Sequence, residues 1–128
     1  MTKIILLDTS ILIANMRGVA AALDMLMQAQ QAGSRLVASV VTRTELLAGV
    51  RHSERRKLAE LLSDITWIPV NEDVADLAGE FARQYGKSHS TIDIGDYLIA
   101  ATAKLIDADL KTLNIKHFPM FPNLQRPY

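Results

Sequence analysis

The sequence predicts an α/β fold, with a central parallel sheet of four to five strands flanked by helices. Three observations lead there. Its short apolar runs are continuous and do not alternate, as strands buried on both faces must be. Each run is followed by a segment with apolar residues at helical spacing, the pattern of βαβ crossovers. And with 128 residues, 49% of them apolar, the chain has enough to bury a core as one domain spanning 1–128.

Lys3–Leu7 (KIILL) reads as the first strand. It gives way at Asp8-Thr9-Ser10 to helix-capping chemistry, and Ile11–Met16 continues as a short apolar helix punctuated by Arg17-Gly18. Val19–Ala32 is the next helix, with Leu23, Leu26 and Met27 at helical spacing and Gly33 placed to end it. Arg35–Val41 (RLVASVV) is the second strand. Thr42-Arg43-Thr44-Glu45 then opens a helix with the Thr-x-x-Glu spacing of a capping box, and Leu46, Leu47 and Val50 supply its apolar face.

Ser53 starts a further helix with Leu58, Leu61 and Leu62 inward and Arg55, Arg56 and Lys57 outward. Trp67–Val70 is a third strand, placed near an edge because Pro69 has no N–H for a ladder. Asn71 caps a helix over Glu72–Tyr85, which Gly86 ends, and 87–92 is a polar loop. Asp93 leads a helix through Leu105. Leu110–Thr112 is the fourth strand, and Phe118–Tyr128, with three prolines, is an irregular tail.

Composition excludes more than it assigns. The chain has no cysteine, so disulfides, thiolate-bound zinc, iron–sulfur clusters and a thiol nucleophile are all ruled out; a reducing, cytoplasmic setting fits. The run Ile4–Leu7 is broken at Asp8, too short for a signal peptide or a membrane span. Lys plus Arg and Asp plus Glu balance at 14 each, so any attraction to nucleic acid has to come from a local basic surface.

Function is therefore sought in placement. A parallel sheet concentrates chemistry at the carboxyl ends of its strands. Asp8 follows the first strand, Glu45 lies just after the second, and Asp93 and Asp96 share one face at the start of a long helix. Each has a plain alternative as a helix cap: Asp8 beside Thr9 and Ser10, Glu45 in its capping box, and Asp93 with Asp96 as a capping pair. Together they place carboxylates at one edge of the sheet, where like charges repel unless a cation screens them. Hard oxygen donors of this kind suit Mg²⁺ or Mn²⁺.

These residues resemble the PIN-domain family, and within it the VapC-like ribonuclease toxins of type II toxin–antitoxin systems. The resemblance is carried by LLDTSILI at Leu6–Ile13, TRTELLAGV at Thr42–Val50, DYLIAATAKL at Asp96–Leu105 and TLNIKHFP at Thr112–Pro119, and it covers essentially the whole chain. It implies a three-layer sandwich and hydrolysis of RNA by Mg²⁺-activated water, with Mn²⁺ able to substitute, leaving a 5′-phosphate and a 3′-hydroxyl. By position, Asp8, Glu45 and Asp96 would bind the metal, Thr9 or Ser10 would orient Asp8, and Asn114 of the Thr112-x-Asn114 element would hydrogen-bond near the ion. Asp93 is an accessory acid. His117 stands where many members of the family carry a fourth acid, so a second metal site is in doubt; packing beside Phe118 is its alternative role. The resemblance further implies a cognate antitoxin that covers the catalytic groove, and a homodimer, for which Val19–Ala32 and Leu46–Val50 are the apolar candidates.

For RNA, the densest basic run is Arg51, His52, Arg55, Arg56 and Lys57, with Arg43 beside Glu45 and Lys111, Lys116 and Arg126 late in the chain. A solvated helix face is the simpler reading of that run. Other function classes fit less well. A phosphorylation-dependent receiver domain needs paired acids after the first strand, where Asp8 stands alone before Thr9. A dehalogenase-like phosphatase needs Asp-x-Asp, and Ser10 occupies the third place. A non-catalytic PIN-like binding module would need none of the acids.

Overall fold

The computed structural model describes residues 2–128. Four strands, β1 (Ile4–Leu7), β2 (Arg35–Ser39), β3 (Thr66–Ile68) and β4 (Asp109–Lys111), form one parallel sheet in the order β3-β2-β1-β4. Six helices connect them: α1 (Thr9–Met16), α2 (Ala20–Gln31), α3 (Val40–Gly49), α4 (Arg55–Asp64), α5 (Glu72–Tyr85) and α6 (Ile94–Leu105).

The unbroken apolar run of β1 is explained by what covers each face. Successive side chains of a strand point to opposite sides. Leu6 therefore joins Val37, Leu110, Val74, Ala78 and Ile99 on the face covered by α5 and α6. Ile5 and Leu7 join Ile11, Leu12, Leu26, Leu46, Leu58 and Leu61 on the face covered by α1 to α4. Leu6 and Leu7 lose all solvent contact, and each such burial contributes about 2 kcal/mol. Along α6 the buried Ala100, Ala101 and Ala103 keep the helix close to its neighbours. The sheet is thus sandwiched, with β1 and β2 at its centre.

Register fixes the edge that matters. Leu7 lies opposite Lys111, and the Asp8 amide continues the ladder by donating to the Lys111 carbonyl at 3.0 Å. Asp8 and Thr112 therefore leave the sheet side by side. On the other flank Ser39 lies opposite Ile68.

Several element boundaries differ from the sequence reading, each for a local reason. The second strand ends at Ser39, not Val41, because the Ser39 hydroxyl accepts the Val41 amide at 3.0 Å and starts α3 two residues early. Thr42 and Glu45 consequently sit inside α3, and the expected capping box does not form. The helix placed at Ser53 opens instead with a single 3-10 turn, His52–Glu54, before α4. There Glu54 accepts from the Arg51 amide at 3.0 Å and from Arg17 Nε at 3.3 Å, so a buried carboxylate ties this turn to the end of α1. The third strand is Thr66–Ile68 and the fourth Asp109–Lys111, each shifted toward the N-terminus of its expected run. α1 begins at Thr9 and α2 is Ala20–Gln31, with Gly33 just beyond at φ +78°, where a side chain would be strained.

No single helix among the described residues is long and apolar enough to cross a membrane. The bent pair α1 and α2 passes on length and composition, but the two helices meet at 111° and supply Ile11, Leu12 and Leu26 to the core.

Candidate active site

Asp8 is the most constrained acid in the molecule. It is 2% exposed at the end of β1 and caps α1. Its Oδ2 accepts from Ser10 Oγ at 2.7 Å, from Thr112 Oγ1 at 2.8 Å and from the Ser10 amide at 3.4 Å. Among the described residues nothing donates to Oδ1. The two hydroxyls are themselves oriented: Ser10 Oγ accepts the Leu113 amide at 3.0 Å, and Thr112 Oγ1 accepts the Asn114 amide at 2.9 Å. One carboxylate oxygen is thus fixed by donors, while the other is met by none of them. A buried carboxylate held by several donors keeps its charge in place.

Glu45 does not reach back to its own helix. Its Oε1 accepts from Thr9 Oγ1 at 2.8 Å, and that hydroxyl lies 3.0 Å from Thr42 Oγ1. Thr9 therefore links α1 to α3 and orients Glu45; of the two hydroxyls expected to orient Asp8, Thr9 or Ser10, it is Ser10 that meets it.

Asp93 and Asp96 do form a reciprocal cap on α6. The Asp96 amide donates to Asp93 Oδ1 at 2.9 Å, and the Asp93 amide to Asp96 Oδ2 at 3.3 Å. Capping is not the whole role of Asp96, because the same Oδ2 lies 3.1 Å from His117 Nδ1. His117 ends a short 3-10 turn, Ile115–His117, that follows β4, so α6 and the β4 end meet at this pair.

The acids act on one another. Partial burial lifts the Glu45 carboxyl above its usual range, with Asp8 and Asp93 adding to the rise and the Thr9 hydroxyl opposing it. Burial likewise pushes Asp96 up to about 6, helped by the charges of Asp93 and Asp8 and resisted by the Asp93 amide and His117. Burial and mutual repulsion of this sort are relieved by protonation or by a cation. Gly95 lets the two helices come this near: a Cβ there would stand 3.2 Å from Asp93 Oδ1 and 3.4 Å from Val41 Cγ1.

Whether these residues suit a metal is a question of donor chemistry. Among the described residues, no three His, Asp or Glu side chains stand close enough to ligate one ion together. The donors are nonetheless hard oxygens, with Asp8 Oδ1 undonated and two neighbours whose charge is raised in energy by the cluster. That set fits Mg²⁺, which takes one or two carboxylates and keeps its waters, better than an ion that demands a closed protein cage.

Residues 5–118 match the family model of the PIN domain. The chain belongs to the PIN-domain family. It is 50% identical over 123 residues to Ribonuclease VapC19 of Mycobacterium tuberculosis, covering 96% of this chain and 98% of that protein. It is 48% identical over 124 residues to Ribonuclease VapC10 of the same organism, covering 97% and 92%. Among solved structures it superposes on a chain of VapBC2 from Rickettsia felis bound to a promoter DNA fragment, with a TM-score of 0.80 at 25% identity over 94% and 95% of the two chains. A toxin–antitoxin complex from Klebsiella pneumoniae gives a TM-score of 0.75 at 30% identity over 96% and 97%.

Within this PIN domain the remaining candidate residues fall into four groups. Thr112 is more than accessory, since it holds Asp8 directly. Asn114 is exposed and contributes its backbone amide to the Thr112 hydroxyl, while its side chain lines an open groove with Lys116, His117 and Arg126. Arg43 is engaged elsewhere, its guanidinium 5.3 Å above the Trp67 ring. Arg51, Arg55 and Arg56 lie on the solvent side around α4, and they line neither that groove nor the cavity between β4 and the C-terminal tail. The sequence reading missed Gly95 and took Thr42 for a cap. A signal for both was present, namely a glycine between two acids and a threonine one helical turn before Glu45.

Proposed function

We propose that this PIN domain is a Mg²⁺-dependent endoribonuclease, acting in the cytoplasm as the toxin of a toxin–antitoxin pair and held in check by a cognate antitoxin. The ribonuclease and toxin assignment rests on relatives at about half identity over nearly the whole chain that are named as ribonucleases, and on neighbours that are toxin–antitoxin complexes. Homodimerisation, through exposed apolar residues such as Met27 of α2 and Leu47 of α3, belongs to the same reading. The receiver and phosphatase alternatives fall away with the family match.

The observation that carries the chemistry is the asymmetric restraint on Asp8, with Oδ2 tied by three donors and Oδ1 by none among the described residues. In the proposed mechanism Asp8 and Asp96 would hold Mg²⁺, with Glu45 beside them as a further acidic group. When bound, the cation supplies the Lewis acidity that makes water nucleophilic near neutral pH and offsets charge on the phosphate. Ser10 and Thr112 keep Asp8 aimed. Thr9 keeps Glu45 turned toward the cluster. His117 holds Asp96 Oδ2 from the β4 side, and a proton on its Nδ1 is what makes that contact attractive. Asn114 lies on the groove side of the acids, within reach of a strand entering there. No residue serves as a nucleophile, so no covalent intermediate forms.

The test compares wild type, Asp8→Asn and Asp96→Asn on a single-stranded RNA with Mg²⁺ and with EDTA, alongside Mn²⁺ binding by calorimetry. Cleavage should need the metal and fail in both variants, and Mn²⁺ affinity should fall with it. Metal-independent cleavage, or unchanged Mn²⁺ binding in Asp8→Asn, would overturn the assignment.

A further inference from the structure

With zero net charge, this chain has no general attraction for a polyanion, so whatever holds RNA must be a local surface. Two cavities share one cation. The first is an open groove of about 420 Å³ running from Asn114 and His117, beside Asp96, past Lys116 to Arg126; among the described residues it is lined by no carboxylate. The second, about 430 Å³, lies between the β4 edge and the C-terminal tail and is lined by Lys104, Lys111, Phe121 and, again, Arg126.

Two of the charges in these cavities are available. Among the described residues neither Lys116 nor Arg126 is paired with a carboxylate, and both are exposed. Asp109, the acid lining the second cavity, is already met by Lys3 at 3.1 Å and Lys111 at 3.3 Å, and these two lysines hold it below the usual carboxylate range. Lys104 Nζ stands 4.5 Å from the Phe121 ring centroid, so the aromatic wall carries a cation on it. A cationic track with an aromatic wall is how sequence-tolerant single-strand sites are built, phosphates on the charges and a base on the ring.

We infer that the RNA strand, on leaving the acidic cluster, runs over the turn after β4 and along the C-terminal tail, with Lys116 and Arg126 gripping successive phosphates and the Phe121 cavity receiving an unpaired flanking nucleotide. This rests on the ribonuclease reading and adds the path by which the strand leaves the acids. The alternative basic run at Arg55 and Arg56 lines neither cavity. A duplex is the wrong ligand here, since stacking in the second cavity needs a base free of its partner.

The experiment measures fluorescence anisotropy of a labelled 12-nucleotide single-stranded RNA on the full chain in EDTA, at several salt concentrations. Three double charge reversals are compared: Lys116→Glu with Arg126→Glu, Arg55→Glu with Arg56→Glu, and, as an equal-charge control, Arg83→Glu with Lys87→Glu. The first pair should weaken binding at least tenfold and flatten the log–log salt slope by about 0.7 per lost phosphate contact. The control should stay within twofold of wild type, and a duplex of the same sequence should bind less well than the single strand. Equal losses in all three pairs, or the loss falling on Arg55 and Arg56, would overturn the track. So would unchanged RNA affinity in Lys116→Glu with Arg126→Glu, including the case where that pair loses only a protein inhibitor. Melting curves of each variant separate lost binding from lost folding. Metal-dependent cleavage by wild type is scored separately, so failure of the track leaves the nuclease reading standing, and the reverse.

Discussion

Thr112 Oγ1 donates to Asp8 Oδ2 at 2.8 Å, joining residues 104 positions apart across the β1–β4 edge. The contact sits where two adjacent parallel strands end, and the backbone bond from Asp8 to Lys111 sets its distance. Thr112→Val should therefore cost about 1.5–3 kcal/mol of stability, as the loss of a hydrogen bond to a charged group does. Cleavage should fall as well, because Asp8 gains freedom and the Asn114 amide loses its acceptor. Urea unfolding and a single-turnover assay read the two effects. A variant as stable and active as wild type would show that Ser10 alone suffices.

Asp8→Asn separates chemistry from folding. The amide can keep the Ser10 and Thr112 contacts through its oxygen, so the melting temperature should change little. Activity should drop by about two orders of magnitude or more, since a neutral ligand polarises the metal site poorly. Full cleavage by the folded variant would remove Asp8 from the site.

Asp96 makes stability depend on pH. Its folded value is pushed up to about 6 against an ordinary 3.8, so the folded state holds the proton more tightly than the unfolded chain. Stability from this group is then fully present below the unfolded value and lost as pH rises toward 6. Without metal, wild type should lose stability relative to Asp96→Asn across that window. Mg²⁺ should restore it, and the melting-temperature gain at a fixed Mg²⁺ concentration should grow from pH 4 to pH 6 and then level off. A gain independent of pH would separate Asp96 from the cation.

Tyr97, next to Asp96 on α6, offers a test of burial. Its hydroxyl is buried with no hydrogen-bond partner among the described residues, and burial lifts its pKa. Tyr97→Phe should be neutral or stabilising by up to about 1 kcal/mol, because the desolvated hydroxyl gains nothing in return. Destabilisation in thermal unfolding would point to a water or ligand meeting that oxygen.

How legible the molecule was in its sequence depends on the range of each interaction. β1 and Asp8 could be read because a run buried on both faces has to be continuous, and an acid placed directly after it stands out. The pairing of Asp93 with Asp96 could be read because a reciprocal cap is local to one turn. Glu45 was ambiguous for the opposite reason. Thr-x-x-Glu looks the same whether it opens a helix or lies within one, and the true cap, Ser39, was hidden in the apolar stretch RLVASVV. The His117 contact with Asp96 spans 21 positions and depends on how a 3-10 turn folds after β4, which no local pattern encodes. The Arg43 stack on Trp67 is of the same kind.

The dependence of Asp8 on Thr112 has a consequence during synthesis. A chain still emerging from the ribosome carries its first acid from the outset, yet the hydroxyl that fixes that acid is made more than a hundred residues later. Until β4 is laid in place, Asp8 Oδ2 has only the Ser10 donors among the described residues, so the first acid of the chain is among the last to reach its final setting.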